Sequence, residues 1–374
     1  MKIAFYNLQN IFHRPIDLVH RFRTENRIRW ITEFERLLLL RERSQRDFDR
    51  MRILSHFLGF DDQGFSTHYT LRNTMGQLLV SRGLNKGKPR ASHLTDWEGW
   101  AKVDSLPIDE QAIGNKAKVI QAVDPDILVV SEVESRASLV EFNRYFLSAA
   151  DIAPYQEVVF MGTNDPFGRG MGFLAKTGID LVSMRTRANE LDASERPIFD
   201  TDLQEYRLRM ASGRTFTLLC THFLDCAGSG EAFKERQWVQ SKHIAGLLAQ
   251  GGYTDRGTIL VGTLNAPSYS SAISPLIKDS GLTDITRHPS FTGNLDKGKD
   301  AAYFSLGAYK MGVNTKQRDY LMLSDGLFNG VEKCGLVRKG MWFKERPQWD
   351  MFGNIKSERD AASEHPLLWC QIPI

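Results

Sequence analysis

Glu132 stands inside DILVVSEVE, an acid in an otherwise aliphatic run. A carboxylate in such a place is costly unless it is paired or holds a metal. Other polar side chains collect at the ends of similar runs. Asn7 and Gln9 follow KIAFY, His222 ends LLCTH, Asn265 ends LVGTLN, Asp319 opens DYLMLS, and Glu364-His365 precede PLLWC. Layered α/β folds build their sites at the carboxyl ends of strands. Glu132, Glu364 and Asp319 with amide oxygens suit a hard divalent cation, Mg²⁺ or Mn²⁺. His222 and His365 offer imidazoles that protonate a leaving oxygen or hold a phosphate. Each residue also has a plainer reading: Glu132 in a salt bridge, His222 in packing, Asn265 capping the turn before Pro267, Asp319 neutralising Arg318.

The elements that must position these groups follow from periodicity. Residues 2–6 read as a strand, as do DILVVSEVE, MGFLAKT, TFTLLCTHF, TILVGTLN, RDYLMLS and HPLLWCQI. NKAKVIQAV, stopped by Asp124-Pro125, and AFKERQWVQSKHIAGLLAQ read as helices. A β-rich core with covering helices implies a layered α/β domain. Residues 14–112 interrupt this order as an insertion. Within it, 27–58 carries Ile28, Ile31, Phe34, Leu38, Phe48, Met51, Leu54 and Leu58 at helical spacing. The chain is therefore expected to be a single domain over 1–374 with a largely helical insertion at 14–112.

Bulk composition narrows the class. With 374 residues, 42% hydrophobic and 25% charged, the chain is long enough for a substantial core and is globular in character. No apolar run approaches the roughly 20 residues that span a bilayer, and MKIAFYNLQNIF lacks a leader's cleavage site. Cys220, Cys226, Cys334 and Cys370 show neither zinc nor disulfide spacing. Together these point to buried thiols, a cytoplasmic protein and no membrane insertion. A net charge of +3 says little about partners, but residues 14–60 hold eleven arginines, no lysine and seven acids. That segment, the basic loop 81–92 and RKGMWFKERPQW (338–349) carry the chemistry to contact phosphates and stack bases. The plainer reading of the arginines is a solvated helix face shared with Glu33, Glu35, Glu42 and Asp47.

The order of the motifs resembles the endonuclease/exonuclease/phosphatase superfamily, which includes pancreatic deoxyribonuclease, abasic-site endonucleases, sphingomyelinases and inositol-polyphosphate phosphatases. The resemblance covers residues 1–13 and about 113–374. FYNLQNIF is similar to its opening asparagine motif, PDILVVSEVESRASL to its glutamate motif and DPFGRGMGFLAK to its Asp…Arg-Gly strand. CTHF with ERQWVQ resembles the histidine strand and its helix, VGTLNAP the Gly-Asp-x-Asn motif, RDYLMLS the later aspartate motif and SEHPLL the terminal Ser-Asp-His. The resemblance implies a four-layer sandwich, two stacked mixed β-sheets flanked by helices. It also implies that Glu132 binds the metal with Asn7, Gln9 and Glu364. His365, oriented by Asp319, would contact the scissile phosphate, with His222 as the second histidine. Asn265 would place the attacking water, and Arg169 would reach a phosphate oxygen.

Two departures stand out. Glu364 replaces the family's aspartate, moving the charge by one methylene. Thr263 replaces the aspartate that orients or deprotonates the water, and loss of a general base costs about 10²–10⁴-fold. Asp225 and Asp165 are the candidates for a displaced carboxylate, and Thr263→Asp is expected to raise activity by about 10²-fold or more. The expected function is a divalent-metal-dependent phosphodiesterase, a nuclease cleaving DNA or RNA by in-line water attack. The alternatives are an inactive nucleic-acid-binding or scaffold relative, and a phosphoesterase for a lipid, sugar phosphate or nucleotide.

Overall fold

The computed structural model describes residues 1–15, 25–38, 40, 42–57, 69–75, 82–84, 98–103, 105–224, 231–250, 253, 257–293, 317–342 and 349–373. Most of the basic loop 81–92, residues 343–348, Arg41, Asp225 and Cys226 lie outside them. The chain forms two compact units, Met1–Phe12 with Asp109–Ile374, and His13–Ile108.

In the larger unit the apolar runs pair into two mixed sheets. The first has seven strands in the order Phe291–Thr292, Lys333–Val337, Leu367–Gln371, Lys2–Asn7, Ile127–Val133, Gly170–Ala175 and Glu157–Met161. The second has six: Leu282–Asp284, Asp319–Ser324, Thr258–Thr263, Thr215–His222, Leu203–Met210 and Ile179–Thr186. Lys2–Asn7 runs parallel to Ile127–Val133, and Thr215–His222 parallel to Thr258–Thr263.

Side chains alternate across each strand. Ile3, Phe5, Val129 and Phe173 of the first sheet therefore meet Tyr206, Leu218, Val261 and Leu321 of the second in one core. Leu219, Leu260, Tyr320 and Met322 face the other way, packing on Ile244 and Leu248 of the helix Glu231–Ala249 and on Leu276 of the helix Ser274–Asp279. Behind the first sheet lies the short helix Arg136–Glu141, whose Leu139 lies against Gly172, where the Val159 carbonyl of the neighbouring strand leaves no room for a Cβ. Strands covered on both faces read as near-continuous apolar runs, which is why they are visible in the sequence. The four-layer sandwich is the expected one.

In the smaller unit two helices form, Glu25–Leu38 and Gln45–Phe57, burying Phe34, Leu37, Leu38, Phe48, Met51 and Leu54. Arg43 closes the first by donating to the Leu37 and Leu38 carbonyls. Ser44 and Asp47 open the second with reciprocal side-chain to backbone bonds, which satisfy N–H groups the helix leaves free. Two antiparallel strand pairs accompany them: His13–Pro15 with Ser105–Pro107, and Tyr69–Met75 with Glu98–Val103. No helix among the described residues is long and apolar enough to cross a membrane.

Candidate active site

Strand register places the polar residues. His222 lies beside Thr263, and Thr263 beside Asp319, on three adjacent strands of the second sheet. In the first sheet Asn7 lies beside Ser131, and the ladder slips between Ser131 and Val133. Glu132 is the extra residue of that bulge, with φ at 54°. A bulge re-aims one side chain, and here it turns a carboxylate out of the sheet toward the site. Gln9, Asn10 and Asn265 also hold positive φ, a costly state for non-glycine residues that persists where the surroundings enforce it.

Around Glu132 the charges are matched. Its Oε1 accepts from Asn7 Nδ2 at 3.0 Å, and its Oε2 lies 2.8 Å from Arg169 Nη1. Burial opposes the anion, yet the Arg169 charge, then His222, His365 and the Asn7 amide, bring its pKa down to about 2. Arg169 also holds Asp165 through Nε and Nη2, both at 2.8 Å, and lies over the Phe167 ring at 5.3 Å. His222 is 3% exposed, and neither ring nitrogen has a hydrogen-bond partner. Its Nε2 stands 3.6 Å from Glu132 Oε1. Burial lowers its pKa, favouring the neutral imidazole despite the nearby Glu132.

Across from this pair, Asp319 receives His365 Nδ1 at 2.9 and 2.8 Å. Thr263 Oγ1 donates to Asp319 Oδ1 at 2.8 Å and accepts from Asn7 Nδ2 at 3.1 Å. The loop carrying His365 is fastened to the end of the first strand. Ser363 Oγ donates to the Asn7 carbonyl at 2.8 Å, and the Glu364 amide donates to Gln9 Oε1 at 2.7 Å. Asn265 Nδ2 donates to the Phe223 carbonyl at 2.7 Å, bracing the chain just after His222.

The structure therefore brings together Asn7, Glu132, Arg169, His222, Thr263, Asp319 and His365. Gln9 and Glu364 sit on two adjoining loops, and the Glu364 carboxylate lies 3.8 Å from Arg318. Of the plainer readings, the Glu132 salt bridge is real, with Arg169 as partner, whereas Asp319 serves His365 and Thr263 and leaves Arg318 to Glu364. Among the described residues no group of three His, Cys, Asp or Glu is arranged to hold a metal ion. One residue escapes a reading of the sequence: Lys116, fully buried, whose Nζ donates to the Leu8 and Ala362 carbonyls and ties the two site loops together. Its signal is a lysine on the apolar face of NKAKVIQAV.

No family model and no curated protein matches the chain. Solved structures similar to it include an endonuclease/exonuclease/phosphatase from Bacteroides vulgatus, 14% identical, covering 70% of this chain and 91% of the other, TM-score 0.47. The human Nocturnin catalytic domain with bound sulfate is 18% identical, covering 70% and 86%, TM-score 0.46. A Bacteroides thetaiotaomicron mannosyl-6-phosphatase is 13% identical, covering 71% and 92%, TM-score 0.45. These likenesses are remote. In motif order and two-sheet fold the chain resembles the endonuclease/exonuclease/phosphatase superfamily.

Proposed function

We propose that the chain is a divalent-metal-dependent phosphodiesterase acting on nucleic acid, built as one domain with residues 14–112 inserted. The observation that carries this reading is the unpartnered His222 imidazole beside the anionic, nearly buried Glu132, facing the Asp319–His365 pair. Buried polar atoms without partners are uncommon and call for a ligand, ion or water. The oxygen donors are of the type Mg²⁺ or Mn²⁺ takes: Glu132 keeps lone pairs beyond those used by Asn7 and Arg169, Asn7 orients it, and Gln9 and Glu364 would join from two adjoining loops. A bound cation would supply positive charge for a pentavalent phosphate.

The chain's own groups divide the remaining work. His222, kept neutral by burial, would accept a proton from an attacking water. His365, with Nδ1 fixed by Asp319, offers Nε2 to a phosphate or leaving oxygen. Arg169 uses three N–H groups on Glu132 and Asp165, leaving two of its five for a phosphate oxygen. Asn265, braced on the Phe223 carbonyl, would help place the attacking water. Arg46 and Arg52 are exposed on their helix, and Phe167 and Tyr269 are exposed aromatic rings close in sequence to site residues, which suits a nucleic acid.

A second reading, a binding protein without turnover, draws on Thr263 and on Arg169 already neutralising Glu132. Cleavage of plasmid DNA, RNA and a bis-ester, with and without chelator, separates the two. Chelator-sensitive cleavage supports the enzyme, and binding without cleavage supports the alternative. A panel of lipid, sugar and nucleotide phosphates then tests the substrate class.

A further inference from the structure

Position 263, where the chain departs from the motif it resembles, is not a gap in the site. Thr263 is fully buried on a strand in register with those of His222 and Asp319. Buried Thr201, Thr221 and Thr258 direct their hydroxyls to backbone carbonyls. Thr263 directs its hydroxyl to two site side chains, Asn7 at 3.1 Å and Asp319 at 2.8 Å. The polarity is forced: an amide nitrogen only donates, an ionised carboxylate only accepts, and a hydroxyl does both. Asn7 Nδ2 also donates to Glu132, and Asp319 also accepts from His365. One run of hydrogen bonds thus joins Glu132, Asn7, Thr263, Asp319 and His365, and it crosses from the first sheet to the second at Thr263.

We infer that Thr263 is a positioning residue, whose hydroxyl holds the Asp319 carboxylate against His365 and the Asn7 amide against Glu132. The site is built around this hydroxyl rather than lacking a carboxylate. Such networks rigidify when every member is satisfied and loosen when one link is lost. The catalytic part of the inference rests on the phosphodiesterase reading; the positioning part does not.

Valine keeps threonine's shape and removes the hydroxyl, whereas serine keeps the hydroxyl. Thr263→Val should lower kcat by about 10- to 100-fold, the worth of a hydrogen bond to a charged group, with KM within a few-fold of the parent. Thr263→Ser should recover most of that loss. The low-field proton resonance of His365 Nδ1, read on the protein without substrate, should move or broaden in Thr263→Val and return in Thr263→Ser. Thr263→Ala carries the same test should the valine variant not fold. An unchanged resonance in the hydroxyl-free variant overturns the inference. A parent that cleaves no phosphate ester removes only the phosphodiesterase reading, and the resonance still judges the positioning role.

Discussion

Arg169 Nη1 lies 2.8 Å from Glu132 Oε2, with the two side chains 9% and 11% exposed. A cation bound at Glu132 must share that carboxylate with the guanidinium. Removing one partner of a buried pair leaves an uncompensated charge and costs about 3 kcal/mol. Arg169→Gln should therefore be less stable than the parent by about that amount. It should also gain more thermal stability from millimolar Mg²⁺ or Mn²⁺, since the freed carboxylate then depends on the metal. Equal metal-induced shifts in parent and variant would count against Glu132 as the cation's anchor, as would a full shift in Glu132→Gln.

Acid should weaken the fold in two stages. His222, whose pKa burial lowers from 6.5, favours folding while it is neutral. Its contribution is present above pH 6.5 and is lost as the pH falls below that value. Glu132, lowered from 4.5 to about 2, favours folding while ionised, and its contribution fades between those two values. It amounts to roughly 3 kcal/mol. Urea midpoints from pH 8 to 3 should fall twice, with His222→Gln flattening the first step and Glu132→Gln the second. An acid slope in Glu132→Gln matching the parent's would exclude the second assignment.

The strands that place the site are legible in the sequence because both of their faces are buried. Ile127–Val133 and Thr258–Thr263 are apolar almost throughout, and His222, Thr263 and Asp319 stand out as polar ends of such runs. The strand Ile179–Thr186 does not, because it is an edge with most side chains exposed and little apolar pattern. The surroundings of Glu132 are also hidden. Its aim depends on a one-residue slip in strand register, and its partner Arg169 lies beside another strand of the same sheet. Lys116 stands out only as a lysine on an apolar helix face, since sequence does not show that two backbone carbonyls wait beneath it.

The arginines of the smaller unit should separate into two groups. Arg50 is paired with Glu33 at 2.7 Å, and Arg43 caps the helix Glu25–Leu38. Arg46 is exposed, and Arg52 is 64% exposed with only a 3.7 Å partner in Asp49. Changing Arg46 and Arg52 to glutamine should weaken DNA or RNA binding and lower the salt slope by about 1–2. Arg50→Gln should instead cost about 0.5 kcal/mol of stability. Unaltered affinity and salt slope in the Arg46/Arg52 variant would mark these arginines as a solvated face.

The sharpest case is Thr263→Asp, where sequence and structure argue in opposite directions. From the motif, the acid restores a missing base. In the structure, the hydroxyl it replaces lies 2.8 Å from Asp319 Oδ1. Two carboxylates at that distance cannot both ionise easily, so one retains a proton or Asp319 draws away from His365. If Asp319 takes the proton or draws away, the arrangement that fixes the His365 ring is broken; if the new acid keeps the proton, it cannot act as a base. Activity at pH 7 should therefore fall by about 10-fold or more, a loss typical of a disturbed hydrogen bond to a charged group. Raising the pH toward 9 should not restore it, because full ionisation only strengthens the repulsion. The measurement is kcat for a bis-ester across pH 6–9 in parent and variant. A gain of about 10²-fold would show that Asp319 yields and that a carboxylate at position 263 serves as the base after all.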